Sequence, residues 1–334
     1  MTVAPETSPE LAAVREFAAG DRVTGFYLVT KLETKPKKDG SLYLLMELQD
    51  SSGHLDAKMW EGFESIYNEA KAGDVVKVAA TLDRYRDQPG LIISKIRLAT
   101  EDEVPNRRAY FPHSALSAVD ASLLLDEIID SISDVHLKTI LEAVFGDGEF
   151  RTEFLESPGG KQWHHSTLGG LAEHTISLAK LADKLCEHYA ELNRDLLITG
   201  TLLHDVGKVF ELNADVNFDY TTDGRLLGHI VQGTLFVEKK ISELSHIPAE
   251  TRKQVLHLIL SHQGSPEMGS PVKPLTLEGI VLHYLDDLDA KVNAFAQVKA
   301  KTPDGEDFSG FIKLMERFFY FKPLNGDSNR SDDE

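Results

Sequence analysis

The residues best suited to chemistry are histidines and aspartates spaced along the second half of the chain. His174 is followed by the adjacent pair His204 and Asp205, and Asp286 comes last. A charge inside an otherwise apolar run, as at Asp205, is costly to bury unless it is paired or bound to a metal. Two imidazoles and two carboxylates from three helices can converge on one divalent cation in a helical bundle. The joint pattern therefore predicts a metal site.

Each of these residues taken alone has a simpler interpretation. A single histidine on an apolar helix face, such as His174, is usually a core residue with satisfied hydrogen bonds. One aspartate among the three at 286, 287 and 289 is usually solvated. The adjacent pair His204 and Asp205 is what favours the metal role, because an apolar core seldom accepts a carboxylate at such a position without a cation.

Several short segments resemble those of one known family, both in their residues and in their order along the chain. They are Trp163–His165, Gly169–His174, Leu203–Lys208, Leu226–Ile230, Leu258–His262 and Leu282–Lys291. The order H…HD…D in successive helices resembles the HD superfamily of metal-dependent phosphohydrolases. The residues of these motifs resemble the YhaM-type 3′→5′ exoribonucleases more closely still. That family also carries an N-terminal OB domain, so the resemblance covers nearly the whole chain except its two tails.

The resemblance also implies a set of metal ligands. The implied first-metal ligands are His174, His204, Asp205 and Asp286, and the implied second-metal ligands are His229 and His262, with Asp205 bridging both ions. One departure lies after Ser261, where the expected His-His-Gly run is His262-Gln263-Gly264 here. His262 shares a helix face with apolar side chains, so it is expected to point inward and remains the candidate ligand. For His229, a surface position at a helix start is the alternative.

The predicted cofactor is a divalent metal, with two ions per chain. Mixed histidine and carboxylate ligands suit iron, nickel, zinc, magnesium or cobalt as well as manganese, which the resemblance favours. The predicted catalytic residues are Asp205, Lys208 and His165. Lys208 suits a non-bridging phosphate oxygen as a point charge, although the helix dipole explains a lysine there equally well. His165 is a candidate substrate contact or proton donor, with a structural role as the alternative.

The first hundred residues carry the pattern of a small barrel. Between residues 22 and 98, alternating apolar positions and turns such as Asp39-Gly40 and Pro89-Gly90 predict five short strands. Residues 61–71 form a helix-like interval between the third and fourth strands. This order is typical of an OB-fold, whereas an SH3-like barrel lacks that helix. Beyond the barrel, helical periodicity covers about 115–131, 135–145, 168–190, 194–210, 227–243, 249–262 and 276–300, and Gly207 is expected to end its helix.

The sequence therefore predicts a multidomain chain, with an all-β OB barrel followed by an all-α HD-type helical domain. The predicted boundaries are an N-terminal tail at 1–20, the OB domain at 21–100, a linker at 101–113, the helical domain at 114–322 and a disordered acidic tail at 323–334.

OB-folds hold single strands by stacking bases on aromatic side chains beside a positively charged groove. The candidate nucleic-acid contacts are Tyr27, Lys31, Tyr43, Lys58, Trp60, Arg84, Tyr85 and Arg86. Stacking specifies no sequence, so the expected partner is single-stranded nucleic acid, with RNA favoured. A basic stretch such as 35–38 is more often a solvated hairpin, and Trp60 has the alternative of sealing the barrel.

Composition limits the remaining possibilities. The single cysteine, Cys186, excludes an intrachain disulfide and fits a reducing cytoplasm. No signal peptide or membrane span is evident, so a cytoplasmic protein without a membrane partner is expected. The net charge of −19 argues against a generic polyanion binder, but residues 21–100 hold roughly equal numbers of acids and bases. A homo-oligomer is compatible with the sequence but not readable from it.

The expected function is a metal-dependent 3′→5′ exoribonuclease acting on single-stranded RNA, with single-stranded DNA as a further substrate. One alternative is an HD phosphohydrolase of a small nucleotide, either a cyclic dinucleotide or a nucleoside triphosphate. The fused barrel argues against it. The other is a non-catalytic nucleic-acid-binding protein with a decayed site, against which the intact set of His174, His204, Asp205 and Asp286 argues.

Overall fold

The computed structural model describes residues 8–85, 88–104, 106–161, 165–213, 218–303 and 305–323. Three sequence predictions lie outside these ranges: the nucleic-acid contact Arg86, the segment containing His164, and the acidic tail from residue 324. Within the described part, a closed β-barrel is followed by a helical region. The predicted fold class, an all-β barrel ahead of a helical half, is confirmed.

The barrel strands pair in the order of an OB-fold. They are β1 (Arg22–Pro36), β2 (Leu42–Asp50), β3 (Gly53–Met59), β4 (Val75–Tyr85) and β5 (Gln88–Leu98). The barrel closes in the order β1-β2-β3-β5-β4. The pairing of β3 with β5 is parallel, and the pairing of β1 with β4 is antiparallel. Helix α1 (Leu11–Val14) precedes β1, and α2 (Glu64–Glu69) lies between β3 and β4, as predicted.

Strand alternation sets the barrel interior. Leu44, Met46 and Leu48 on β2 are fully buried, as period-two patterning predicts. β1 shifts register between Val29 and Lys31, which bends the strand so that it pairs with β4 through its first half and β2 through its second. The barrel closes because this one long strand contacts both neighbours.

Tyr27 is a correction to the predicted nucleic-acid surface. Its side chain is fully buried in the barrel core, and its hydroxyl donates to the carbonyl oxygen of Pro9 at 2.9 Å. Tyr27 lies on the same face of β1 as Val23 and Val29, which also belong to the barrel core. The ring therefore points into the barrel, and no base can stack on it.

The described part of the predicted N-terminal tail is packed on the barrel. Leu11 and Val14 of α1 are fully buried against the barrel core. The backbone N–H of Leu11 donates to Asp50 Oδ2 at 2.7 Å. Residues 8–20 therefore belong structurally to the barrel.

The segment between the two halves is packed rather than extended. Phe111 is buried with Leu28 and Val75 of the barrel and with Leu168 and Phe218 of the helical half. The ring centroids of Phe111 and Phe218 are 5.1 Å apart. A shared apolar cluster of this kind fixes the barrel against the helical half.

The helical half contains α3 (Ala118–Asp130), α4 (Val135–Phe145), α5 (Gly148–Glu156), α6 (Gly170–His188), α7 (Arg194–Leu203), α8 (Lys208–Glu211), α9 (Thr222–Ser242), α10 (Ala249–Ser261) and α11 (Leu277–Lys301). A short hairpin, β6 (Leu212–Asn213) with β7 (Asp219–Tyr220), separates α8 from α9. One continuous core of buried aliphatic and phenylalanine side chains joins α3 to α11. Its members on α6, α7, α10 and α11 surround the site described below.

One helix is absent from the sequence prediction, and another ends earlier than predicted. Periodicity does not predict α5, because Gly146 and Gly148 flank its start, yet the Asp147 side chain caps it by accepting from the N–H of Phe150 at 3.3 Å. α7 ends at Leu203 rather than near residue 210, and Gly207 precedes α8 instead of ending a helix. A Cβ on Gly207 would lie 1.9 Å from the carbonyl oxygen of His229. Glycine is needed there for the close approach of α9.

The end of the described chain is a hairpin and not a helix. Residues 307–321, the C-terminal hairpin, are joined by antiparallel bridges between Phe308 and Tyr320 and between Ile312 and Arg317. The hairpin packs on α11 through Phe295, whose ring centroid lies 5.0 Å from that of Phe319. Among the helices of the described ranges, none combines the length and apolar character needed to cross a bilayer.

Candidate metal centre

The six predicted metal ligands meet at one place in the helical core. His174 lies in the first turns of α6, and His204 and Asp205 follow the last residue of α7. The other three lie on three further helices or their ends, His229 on α9, His262 directly after α10 and Asp286 on α11. His204, Asp205 and His262 are almost completely inaccessible to solvent. Five segments distant in sequence thus direct polar side chains into an apolar bundle.

One half of the cluster is formed by His174, His204 and Asp286. His174 Nε2 lies 3.3 Å from His204 Nε2 and 3.2 Å from Asp286 Oδ1. Asp205 Oδ2 approaches the same group, at 3.3 Å from His204 Nε2 and 3.8 Å from His174 Nε2. Two imidazole nitrogens and two carboxylate oxygens converge within the reach of one cation.

The other half of the cluster is formed around the second oxygen of Asp205. Asp205 Oδ1 lies 3.4 Å from His229 Nε2 and 3.5 Å from His262 Nε2. Asp205 therefore presents one carboxylate oxygen to each half. Asp205 Oδ1 and His229 Nε2 are buried atoms without a hydrogen-bond partner. Because buried polar atoms are normally satisfied, this observation fits a donor set that binds a cation.

The outer nitrogens of the four imidazoles fix the direction of the inner ones. His204 Nδ1 lies 2.8 Å from the carbonyl oxygen of Thr201, and His262 Nδ1 lies 2.8 Å from that of Ile259. His229 Nδ1 faces Glu211 Oε1 at 3.2 Å, and His174 Nδ1 faces Asp289 Oδ2 at 2.8 Å. Each acceptor takes the Nδ1 proton and directs Nε2 inward, which is the usual arrangement of metal-binding histidines.

Electrostatics keep the two carboxylates of the cluster charged. Burial alone would raise the pKa of Asp205, but the charge of Lys208 and the imidazole of His204 hold that pKa well below its usual range. Burial opposes ionisation of Asp286 too, and its hydrogen bond with His174 outweighs burial and lowers the pKa of Asp286. Both side chains are anionic at neutral pH and able to bind a cation.

The imidazoles at the two ends of the cluster differ. Burial, with a smaller electrostatic contribution from the neighbouring imidazole of His204, lowers the pKa of His262 to about 3, so that its ring is neutral. For His174, burial lowers the pKa, but hydrogen bonds to Asp286 and Asp289 outweigh burial and raise it to about 9. A cation binding beside His174 would therefore replace a proton.

Lys208 lies inside the cluster. Its Nζ is 2.6 Å from Asp205 Oδ2, and the residue is buried. Gln263, the departure from the family pattern, places Nε2 3.4 Å from His262 Nε2. The imidazole of His262 and not the amide of Gln263 faces Asp205, in agreement with the predicted inward direction of His262.

His165 lies behind His174 and not beside the ligand carboxylates. Its Nε2 is 3.0 Å from Asp289 Oδ2, the same oxygen that His174 Nδ1 contacts. Its backbone has a φ of 54°, and its N–H donates to Asn293 Oδ1 at 3.2 Å. This position favours the structural alternative over proton donation to a leaving group.

Sequence reasoning misses two residues of the site, Asp289 and Glu211. Asp289 follows Asp286 by three residues and therefore lies on the same face of α11, so its spacing could have separated it from the solvated aspartates. Ser177 Oγ also donates to its Oδ1 at 3.1 Å. Glu211 accepts from both the backbone N–H and Nδ1 of His229, at 3.0 and 3.2 Å. No pattern in the sequence distinguishes it from a surface glutamate.

We expect Asp289→Asn to weaken Mn²⁺ binding by roughly 10–100-fold, which is the usual effect of losing a carboxylate that supports a histidine ligand. The neutral amide keeps the shape but loses the charge that orients His174 and His165. The measurement is a Mn²⁺ titration followed by electron paramagnetic resonance. Asp287→Asn is the matched control, since Asp287 is two residues away and pairs with Lys291. Equal affinities of the two variants would exclude a positioning role for Asp289.

The predicted nucleic-acid contacts of the barrel divide into two groups. Tyr43 and Trp60 have ring centroids 4.9 Å apart, and Lys58 Nζ lies 5.9 Å from the ring centroid of Tyr85. Trp60 and Tyr85 are exposed. A groove of about 650 Å³ runs beside Trp60 between β1 and α2. These four side chains are accessible for stacking and phosphate contact.

Lys31 and Arg84 are engaged within the protein. Lys31 Nζ pairs with Glu33 Oε1 at 3.1 Å, and the Arg84 guanidinium donates to the carbonyl oxygen of Phe17 at 3.3 Å. Lys37, outside the predicted set, places Nζ 6.0 Å from the ring centroid of Trp60. The aromatic pair and its neighbouring lysines carry the candidate surface.

The arrangement of the helical half corresponds to a known domain. Residues 171–291 match the HD domain family. This span contains all six side chains of the cluster and indicates a metal-dependent phosphohydrolase. The His/Asp groups of the described residues are able to hold divalent metal.

The barrel is similar to solved OB-fold and DNA-binding structures. One is the second OB-fold domain of replication protein A from Methanococcus maripaludis, with 19% identity over 25% of this chain and 90% of that chain, and a TM-score of 0.21. Another is the mitochondrial single-stranded DNA-binding protein of S. cerevisiae, with 12% identity over 25% of this chain and 98% of that chain, and a TM-score of 0.21. A murine DNA-binding protein bound with double-stranded DNA has 15% identity over 28% of this chain, and a TM-score of 0.24; the match spans 49% of that protein.

Proposed function

We propose that the chain is a metal-dependent 3′→5′ exonuclease that hydrolyses phosphodiester bonds of single-stranded RNA, with single-stranded DNA as a further substrate. The observation that carries the proposal is Asp205, whose two carboxylate oxygens face two separate sets of buried imidazoles. The HD domain match and the OB barrel packed beside it support the proposal. The 3′→5′ polarity rests on the resemblance to the YhaM-type exoribonucleases.

Two divalent cations held by the six side chains would neutralise phosphoryl oxygens and lower the pKa of water, which phosphodiester hydrolysis at neutral pH requires. We propose manganese, since the mixed imidazole and carboxylate set suits it. Asp205 positions both halves of the cluster. Lys208 places an ammonium group beside Asp205 Oδ2, from where it can contact a non-bridging phosphate oxygen.

In this proposal the barrel binds the single-stranded substrate. Bases of a single strand would stack on Tyr43 and Trp60, while Lys37 and Lys58 neutralise phosphates. Because the shared cluster around Phe111 fixes the barrel against the helical half, the strand held by the barrel would keep a constant position relative to the metal centre.

The test is turnover by the purified full chain with Mn²⁺, and with EDTA as the control. The substrates are single-stranded RNA and DNA labelled at the 5′ end, a cyclic dinucleotide and a nucleoside triphosphate. We expect labelled RNA to shorten progressively from its 3′ end. Hydrolysis of the small nucleotides alone would indicate a small-nucleotide phosphohydrolase instead. Metal binding without turnover of any substrate would indicate a non-catalytic binding protein.

The number of metals is tested separately. We expect His229→Ala and His262→Ala each to reduce bound Mn²⁺ from about two ions per chain toward one, as follows for a dinuclear site. The measurement is elemental analysis of the purified variants against wild type. His174→Ala is the comparison that should disturb the other half of the cluster. A single ion in active wild-type protein would contradict the second site. Gln263, which stands where the family pattern has a histidine, would then be the expected reason for its loss.

A further inference from the structure

Two cations gather around one tyrosine ring in a group of side chains that the proposed function does not yet use. Lys161 Nζ and the Arg225 guanidinium lie 5.5 and 5.7 Å from the ring centroid of Tyr220. Both cations also donate to Asp219 Oδ1, at 2.6 and 3.0 Å. The ring and the carboxylate together hold two long side chains in one place. These four residues are called the Tyr220 cluster below.

The hairpin and the helix that carry the Tyr220 cluster also carry one half of the metal centre. Tyr220 of β7 pairs with Leu212 of β6. Leu212 directly follows Glu211, which accepts from the backbone N–H and Nδ1 of His229. Arg225 precedes His229 by four residues in α9. The ring and the guanidinium are therefore close to the Asp205–His229 half of the centre.

Lys161 comes from the segment that leads to the other half of the metal centre. Two residues before it, the N–H of Gly159 donates to the carbonyl oxygen of His165 at 2.9 Å. His165 and His174 contact the same oxygen of Asp289. Its ion pair with Asp219 thus joins the segment before α6 to the β6–β7 hairpin.

The metal centre is accessible to solvent on the side of His229 and Asp286. The side chains of these two residues are 18% and 15% exposed, whereas those of His204 and His262 are fully buried. A substrate has to approach the cations from an exposed side. The approach over His229 passes the hairpin that carries Tyr220.

The Tyr220 cluster has one positive charge more than it can neutralise. Among the described residues, Asp219 is the one carboxylate that pairs with either cation. The pKa of Asp219 is lowered, chiefly by its hydrogen bond with Lys161, so it contributes one full negative charge. Exposed ion pairs of this kind add little to stability. In a chain of net charge −19, a surplus of positive charge beside the metal centre favours an anionic ligand.

We propose that Lys161 and Arg225 bind a backbone phosphate of the single-stranded substrate next to the metal centre. A guanidinium can donate to two phosphate oxygens at once, and an ammonium group can contact a third as a point charge. Contacts to phosphate fix the position of a strand without reading its bases. The inference rests on the proposed nuclease function and assigns the substrate contact at the site of hydrolysis, whereas the barrel holds nucleotides further along the strand.

The first test is binding of single-stranded RNA with phosphorothioate linkages, which resist hydrolysis, to the full chain loaded with Mn²⁺. Fluorescence anisotropy over a series of salt concentrations gives the dissociation constant and its salt dependence. Lys161→Gln with Arg225→Gln should raise Kd by on the order of 10-fold, as expected for the loss of charge-assisted hydrogen bonds. The slope of log K against log salt should become shallower by roughly 0.7 for each phosphate contact that is lost.

Three further variants separate charge from structure. Lys161→Arg with Arg225→Lys keeps both charges and should retain the wild-type salt slope. Tyr220→Leu loosens the two cations without removing them, so it should raise Kd less and leave the slope unchanged. The matched control is Arg252→Gln with Lys253→Gln, two exposed cations of α10 that pair with Glu238 and Glu250. This control should bind RNA like wild type.

The second test is steady-state kinetics on a trinucleotide and on long RNA. The loss of Lys161 and Arg225 should raise KM on both substrates, because the contact is next to the metal centre. It should affect KM more than kcat, as follows for an interaction made equally in the bound substrate and the transition state. Substitutions on the barrel are expected to affect long RNA alone.

The outcomes separate this inference from the proposed function. Both replaced side chains are partly exposed, at 34% and 60%, and circular dichroism establishes that each variant is folded. If wild type hydrolyses RNA but the glutamine variant keeps the wild-type Kd and salt slope, this inference is wrong and the nuclease function stands. A lower kcat with an unchanged salt slope would also overturn it, since that result indicates a distorted metal centre. If wild type neither binds nor hydrolyses RNA, both proposals are wrong.

Discussion

Asp205→Asn should reduce phosphodiester hydrolysis by at least about 10³-fold. Asp205 is the one side chain of the cluster whose two oxygens face both halves, so its loss affects both proposed cations. Removal of several kcal/mol of transition-state stabilisation corresponds to a loss of this size. The measurement is kcat/KM on labelled single-stranded RNA with saturating Mn²⁺. Asp130→Asn is the control, because Asp130 is an exposed carboxylate that pairs with Lys138.

The same substitution also leaves Lys208 without its nearest carboxylate. An unpaired buried charge destabilises a protein by about 3–5 kcal/mol, so a loss of activity in Asp205→Asn has to be separated from unfolding. Asp205→Asn with Lys208→Met removes both charges and keeps the packing. We expect this double variant to melt near the wild-type temperature and to be equally inactive. A folded Asp205 variant with activity within about tenfold of wild type would contradict the metal centre.

The six cluster residues are predicted as a set through the resemblance to the HD superfamily, and three of them lie directly after a helix. The pair His204 and Asp205 follows α7, and His262 follows α10, so backbone position alone directs these side chains into the bundle. The sequence predicts Gly207 as a helix terminator, but its actual role is close contact with α9. Periodicity locates a helix; it does not reveal which backbone from elsewhere will lie against it.

Partners of the ligands are much harder to predict. Asp289 and Glu211 contact the outer nitrogens of His174 and His229. The spacing of three residues from Asp286 is the one sequence signal for Asp289, and no sequence signal separates Glu211 from the solvated carboxylates. Such contacts depend on the packing angle of α11 and α8 against α6 and α9, which single-sequence patterns do not contain. The ligand roles themselves remain predictions until metal is measured.

The barrel illustrates a different limit. Alternation correctly places Leu44, Met46 and Leu48 inside, because each strand has two faces and one must be apolar. It also places Tyr27 inside, on the face of β1 that holds Val23 and Val29, so the prediction of Tyr27 as a nucleic-acid contact neglects the alternation of its own strand. The C-terminal hairpin is also missed. Its aromatic residues follow α11 so closely that the sequence includes them in the helical domain.

The packing of the barrel changes how its role in substrate binding has to be tested. Deleting residues 1–105 would expose Phe111, Leu168 and Phe218, which share a core with Leu28 and Val75. Truncation therefore damages the helical half as well as removing the barrel. Surface substitutions that leave this cluster intact distinguish a role of the barrel in substrate binding from a role in supporting the helical half.

Tyr43→Ala with Trp60→Ala should raise KM on long single-stranded RNA by on the order of 100-fold and leave hydrolysis of a dinucleotide nearly unchanged. The two rings contact each other on the accessible surface of the barrel, and each stacked base contributes about 1–3 kcal/mol. Steady-state kinetics on both substrates measure the effect, and added salt should raise KM for wild type through the neighbouring lysines. Tyr189→Ala is the control, an exposed ring at the end of α6. Equal losses on long and short substrates would mean that the rings support the active site and not the bound strand.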